Sequence, residues 1–144
     1  MINSEQLLKH WIDCQTTTDP RYNDYIEQGK KIAVISKKWK LIEIPVNEIL
    51  NYQNSELENS GPLIYKINSF LSYLKNINDI PPIILIPVDR KNKRPFIKHR
   101  YSPEIKWEAA DGVHRLHLFL QLGLNKIKSY IPVIENSEDD NENS

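Results

Sequence analysis

The strongest constraint on the fold lies near the C-terminal end of the chain, where strand, turn and helix signals follow one another closely. Residues 105–110 (IKWEAA) and 127–134 (IKSYIPVI) predict two strands. The segment between them, DGVHRLHLFLQLG (111–123), predicts a helix with Asp111 as its N-cap and Gly123 at its end. The predicted order is therefore a strand, a tight turn, a helix, a short loop and a second strand.

The turn at the start of this helix carries groups that suit an anion. Gly112 permits close approach of the backbone, and the first helical N–H groups lack partners within the helix. The helix dipole there favours a phosphate by about 0.3–2 kcal/mol per charge. Val113, His114 and Arg115 follow. We expect Arg115 to be partly exposed and to donate two hydrogen bonds to phosphate oxygens, and His114 to donate one. Since Asp-Gly before a helix is also an ordinary cap, the spacing leaves both interpretations open.

Apolar spacing and turn residues predict the elements upstream. They are a helix over 2–13, a short helix over 22–28, a hairpin of strands 31–36 and 39–45, a short helix or turn over 46–50, a polar surface loop over 51–61, a helix from Pro62 to residue 77 and a strand over 83–88. Asn3 or Ser4 is the predicted cap of the first helix, and Gly29 is predicted to stop the second. In the second hairpin strand, Ile42 and Ile44 share the face that we expect to be buried.

Composition narrows the class of protein. A chain of 144 residues is long enough for one hydrophobic core, and it has no apolar run of the ~20 residues that a membrane span requires. The N-terminus has charged residues where a secretion signal needs apolar ones, so we expect a soluble, cytoplasmic protein. The single cysteine, Cys14, cannot form an internal disulfide, and no Cys cluster is available for zinc.

Charge is distributed unevenly along the chain. Residues 135–144 contain five acids and no Lys or Arg, which predicts a disordered tail that either aids solubility or competes with phosphates for basic residues. The remaining chain has 19 basic and 14 acidic residues, a formal charge of +5. Residues 90–103 are predicted to form a basic loop, for which three interpretations stay open. The loop is a solvated hairpin tip, a weak contact to nucleic acid, or a clamp on the nucleotide or an anionic substrate. The clamp residues would be Lys98, His99 and Arg100.

Four motifs occur in the order found in the ParB/sulfiredoxin superfamily, and the chain resembles it over residues 40–134. They are an opening strand and turn IEIPVNEI (42–49), a helix (62–77) followed by PPIILI (81–86), the DGVHR box (111–115), and an LGL (122–124) and IPV (131–133) pair. The resemblance implies an α+β fold, a small mixed sheet flanked by helices, in a protein that binds a nucleotide through Gly112, Val113, His114 and Arg115. It implies a domain over 30–134, with an added N-terminal helical segment (1–29) and the tail (135–144).

Activities differ within this superfamily. Sulfiredoxins use ATP and a cysteine just before the box histidine, but Val113 occupies that position here, so we do not expect that mechanism. Partitioning ParB proteins bind CTP and carry a helix-turn-helix region after this domain, a half that we expect to be absent from a chain ending at Ser144. Other members phosphorylate a small molecule, notably free serine, and some have been described as nucleases.

The resemblance therefore implies a nucleotide-binding protein that uses ATP, ADP or CTP, with Mg²⁺ as a possible companion of the phosphates. The first hypothesis is a phosphotransferase acting on a small hydroxyl compound, with Asp111, Glu43 or Glu48 as the catalytic carboxylate. In the alternative without catalysis, Glu43 is a solvated strand residue, Glu48 lies on a helix face, and Asp111 only caps the helix. The second hypothesis is a non-catalytic nucleotide sensor or DNA-associated module, and a nuclease is the third. His114 and His117 lack a third ligand for a protein-bound metal.

Overall fold

The computed structural model describes residues 1–50, 80–88 and 103–134. Within these ranges the elements are β1 (Ile2–Asn3), α1 (Ser4–Asp13), α2 (Tyr22–Ala33), β2 (Lys38–Pro45), a 3₁₀ turn (Val46–Glu48), β3 (Ile83–Pro87), β4 (Trp107–Asp111), α3 (Val113–Gln121) and β5 (Lys126–Pro132). The predicted loop over 51–61, the helix from Pro62, most of the basic loop and the acidic tail lie outside the described residues. The clamp residues Lys98, His99 and Arg100 lie outside them too.

The five strands have the order β1-β2-β5-β3-β4 in one sheet. β3 runs antiparallel to β4 and parallel to β5, so the sheet is mixed and the predicted α+β class is confirmed. The chain divides into two compact units, one of Met1–Leu41 with the residues from Ile131, and one of Ile42–Tyr130. The domain boundary predicted at residue 29 falls inside α2.

The first unit is built on the pair of helices α1 and α2. Asn3 caps α1 as predicted, because its side chain accepts from the Gln6 backbone while the Gln6 side chain accepts from the Asn3 backbone. The prediction that Gly29 stops the second helix is wrong, since α2 continues to Ala33. The strand predicted over 31–36 is therefore wrong too, and β2 pairs with β1 rather than in the predicted hairpin.

Gly29 lies inside α2 because the indole of Trp11 packs directly against it. A Cβ at this position would lie 2.5 Å from Cδ1 of Trp11, which is 3% exposed and donates its indole N–H to the Tyr25 carbonyl. The glycine thus serves close packing of two helices rather than termination of one of them.

Gly29→Ala is expected to lower the free energy of unfolding by about 1–3 kcal/mol, because the added methyl group overpacks the indole. In an unobstructed helix the same change would stabilise by about 0.5–1 kcal/mol. Urea unfolding followed by tryptophan fluorescence measures the difference. The control is Gln28→Ala at the adjacent exposed position, which should stay within about 0.5 kcal/mol of the parent. A Gly29→Ala protein that is more stable than the parent would contradict the packing argument.

The second unit is centred on β3. Ile83, Ile84 and Leu85 are fully buried, which confirms a strand covered on both faces. Along the outer side of β4, the backbone of residues 48–50 bonds to residues 106 and 107, and Ile49 forms a parallel bridge with Trp107. On β2, Ile44 is buried and Ile42 half-buried while Glu43 is exposed, as the alternation predicts. Among the described residues, the helices are too short and too polar to cross a membrane.

Candidate functional site

The candidate site is the turn between β4 and α3. β4 ends at Asp111, Gly112 adopts φ 103° and ψ 23°, and α3 begins at Val113. The first helical hydrogen bond runs from Leu116 to the Gly112 carbonyl, so the three preceding N–H groups have no acceptor within the helix. The positive φ fits only a residue without a Cβ, and it directs the chain from the strand sharply into the helix.

Gly112 also packs closely on β3. A Cβ built on it would lie 2.4 Å from Cγ2 and 2.7 Å from Cβ of Ile83, a residue that is fully buried. The position of the turn is therefore fixed against the centre of the sheet. Glycine is required here both by its backbone conformation and by the space available.

Arg115 is enclosed by the protein, which contradicts the expectation that it would be partly exposed. It is 4% exposed, and its Nη1 donates to the carbonyl oxygens of Pro81 and Pro82, each at 3.0 Å. Its Nη2 donates to Oδ2 of Asp111, also at 3.0 Å. The guanidinium thus joins the end of β4, the first turn of α3 and the residues just before β3. This geometry makes Arg115 a residue that positions the turn.

Asp111 is not the helix cap, and the predicted cap was wrong. It is the last residue of β4, and Gly112 occupies the cap position. The carboxylate instead accepts from Arg115 in an ion pair whose Asp111 side chain is 18% exposed. The prediction that α3 ends at Gly123 is confirmed, since the helix stops at Gln121 and Gly123 has a positive φ of 73°.

The other two candidate carboxylates lie in different surroundings from Asp111. Glu48 lies in the 3₁₀ turn, with its Oε1 4.0 Å from Nζ of Lys106. Glu43 is exposed on β2 and lines a cavity. These positions agree with the alternative interpretation of both residues, in which Glu43 is a solvated strand residue and Glu48 belongs to a short helix or turn.

Two residues of the site escaped prediction. Pro81 and Pro82 were included only in the PPIILI motif that follows a helix, whereas their carbonyls accept from Arg115. The available signal was that proline retains its carbonyl acceptor while lacking an N–H donor. Within the described residues no group of three or more His, Cys, Asp and Glu side chains is placed to hold a metal ion.

Comparison with known proteins adds one structural likeness. The chain is similar to the crystal structure of sulfiredoxin from Arabidopsis thaliana, with 19% sequence identity and a TM-score of 0.43 over 72% of this chain and 94% of that chain. No family model matches the sequence, and no curated protein does. At this identity and TM-score the likeness extends no further than the fold.

Proposed function

We propose that this protein binds the phosphates of a nucleotide at the turn formed by residues 111–115. The observation that carries the proposal is the rigid support of this turn. The buried Arg115 bonds to Pro81 and Asp111, and Gly112 packs against Ile83 of β3. Backbone N–H groups at the start of α3 then stand in a preorganised arrangement, which reduces the entropy cost of binding an anion.

Arg115 supports binding indirectly. Its hydrogen bonds to Pro81, Pro82 and Asp111 hold the helix start against β3. Its positive charge lies behind the turn and is partly offset by the Asp111 carboxylate, so the electrostatic attraction for phosphate comes mainly from the N–H groups and the helix dipole. Mutation of Arg115 consequently acts first on stability.

The nucleotide is ATP, ADP or CTP, with Mg²⁺ held chiefly by the phosphates, as the motif resemblance implies. If transfer follows binding, the terminal phosphoryl group moves to a hydroxyl of a small acceptor while a carboxylate accepts the hydroxyl proton. Two of the three candidate carboxylates already have cationic partners, Asp111 with Arg115 and Glu48 with Lys106. These pairings favour the second candidate function, a sensor that binds nucleotide without transfer.

Val113→Asp is expected to weaken nucleotide affinity about tenfold or more, because it places a carboxylate in the first helical turn beside the phosphates. A negative charge in the first turn of a helix is favourable, so the melting temperature should not decrease. Isothermal titration with ATP, ADP and CTP, with and without Mg²⁺, measures the affinities.

The matched control is Val113→Asn, because asparagine has nearly the same shape as aspartate without the charge. Its nucleotide affinity should stay within about threefold of that of the parent. Equal nucleotide affinities for the two variants would show that the turn is not the phosphate site. If the parent chain bound none of the three nucleotides, the proposed function would be wrong. Formation of a phosphorylated acceptor together with the donor that has lost one phosphate (ADP from ATP, AMP from ADP or CDP from CTP) then separates a phosphotransferase from a sensor.

A further inference from the structure

The first unit has a cavity of about 340 Å³ on its surface, lined by residues that follow α2 and residues that follow β5. Three of the lining side chains are large, apolar and exposed to solvent, since Val34 is 75% exposed, Ile35 46% and Ile134 48%. They are half of the six large apolar side chains that are exposed in the described part of the chain. Apolar side chains that gather on the surface in this way mark an interaction site.

Hydrogen bonds fix the backbone on both sides of this cavity. The buried Ser36 hydroxyl donates to the Val133 carbonyl at 2.6 Å, and the Val133 N–H donates to the Lys38 carbonyl at 2.9 Å. The Ile35 N–H donates to the Ile32 carbonyl at 3.0 Å and thereby continues the last turn of α2. The exposed apolar side chains therefore stand on a fixed frame, which reduces the entropy cost of binding a partner.

Lysines accompany the apolar side chains. Lys37 is exposed and lines the same cavity. Lys31 is exposed on α2 and precedes Val34 and Ile35 by three and four positions, a spacing that places side chains on one face of a helical turn. Residues 28–42 contain five lysines and no Asp or Glu. This combination is complementary to an apolar group that is flanked by carboxylates.

We propose that this cavity binds a segment of a partner protein in which one large apolar residue is flanked by Asp and Glu. The apolar residue packs against Val34, Ile35 and Ile134, and the flanking carboxylates pair with Lys31 and Lys37. The proposal is independent of nucleotide binding, which involves the turn between β4 and α3 in the second unit.

Three features favour this occupant over the alternatives. A second copy of the chain would bring like-charged lysines together at this surface, which opposes self-association. A concave site suits one inserted side chain better than it suits a lipid surface. Residues 135–144 supply five acids directly after Ile134, but they include no apolar residue that could fill the cavity.

The probe is the acetylated and amidated peptide DEDFDED, compared with DEDADED, which lacks the large apolar side chain, and NQNFNQN, which lacks the charges. Titration of DEDFDED into ¹⁵N-labelled protein should shift the amide signals of Val34, Ile35 and Ile134. DEDADED should bind at least about tenfold more weakly, because alanine leaves the apolar surface in water. NQNFNQN should bind about threefold more weakly, as expected for exposed and partly screened ion pairs. If either control peptide bound as tightly as DEDFDED, or if about 5 mM DEDFDED shifted none of these amides, the proposal would be wrong.

Variants locate the site. Ile35→Ser should weaken DEDFDED binding about fivefold or more, because it removes apolar surface that the phenylalanine contacts. The matched control is Leu41→Ser, which changes a side chain of the same 46% exposure outside the cavity lining and should bind within about twofold of the parent. Lys37→Gln should reduce the preference for DEDFDED over NQNFNQN, whereas Lys126→Gln, at an exposed lysine of the second unit, should keep it. Equal binding by Ile35→Ser and Leu41→Ser would refute the site, and the peptide series tests the parent chain even if a variant fails to fold.

Two measurements test the other occupants. Binding to phosphatidylserine vesicles that Ile35→Ser abolishes, without any effect of DEDFDED on the amides, would assign the surface to a membrane. A dimer in sedimentation equilibrium that Ile35→Ser dissociates would assign it to a second copy of the chain. Either result would overturn the proposal.

Discussion

Arg115→Ala is expected to lower the free energy of unfolding by about 3–5 kcal/mol, the usual cost of removing one partner from a buried ion pair. The change removes the Arg115 cation from the Asp111 carboxylate and the Arg115 donor from the Pro81 and Pro82 carbonyls. Each buried polar group that loses its partner costs about 1–3 kcal/mol, which is consistent with that range. Denaturant unfolding followed by circular dichroism measures the loss.

Two further variants show whether burial explains the loss. Arg115→Lys keeps the charge but cannot form the planar set of donors that spans Asp111 and two carbonyls, so an intermediate loss is expected. Arg21→Ala removes an arginine whose side chain is 47% exposed and pairs with Asp19, and it should cost at most about 1 kcal/mol. If Arg115→Ala were as mild as Arg21→Ala, the internal bonds of Arg115 would not support the turn.

The buried position of Arg115 could not be predicted from the sequence. The DGVHR spacing correctly placed a turn between a strand and a helix, because Gly112 and the apolar periodicity are local signals. The partners of the guanidinium at Pro81 and Pro82 lie 34 and 33 positions away along the chain. No local pattern identifies such acceptors, so an arginine in a first helical turn was expected to face a ligand.

Gly29 illustrates the same limit within the first unit. Glycine is a common helix stop, and the apolar residues after it fit a strand, so the local signals agreed on a wrong result. The space beside the Trp11 indole explains why the helix continues through this position, because α2 can pack against the indole only if residue 29 has no Cβ. By contrast, β3 was predictable because its continuous apolar run requires burial whatever surrounds it.

Gly112→Ala is expected to lower the free energy of unfolding by about 3 kcal/mol or more, since two costs act together. A side chain at φ 103° is strained, by about 1–3 kcal/mol, and the added Cβ would overlap Ile83, whose burial leaves it no room to move. Thermal unfolding by calorimetry measures the sum.

Gly123→Ala separates the two costs, because Gly123 also has a positive φ, 73°, but a Cβ there would meet nothing within 4 Å. It should therefore show only the backbone cost, about 1–2 kcal/mol. A Gly112→Ala protein no less stable than Gly123→Ala would mean that the turn can move away from β3. In that case β3 would not fix the amides at the start of α3 in the parent chain either, so phosphate binding could not depend on this support and the Gly112→Ala protein should bind nucleotide as tightly as the parent.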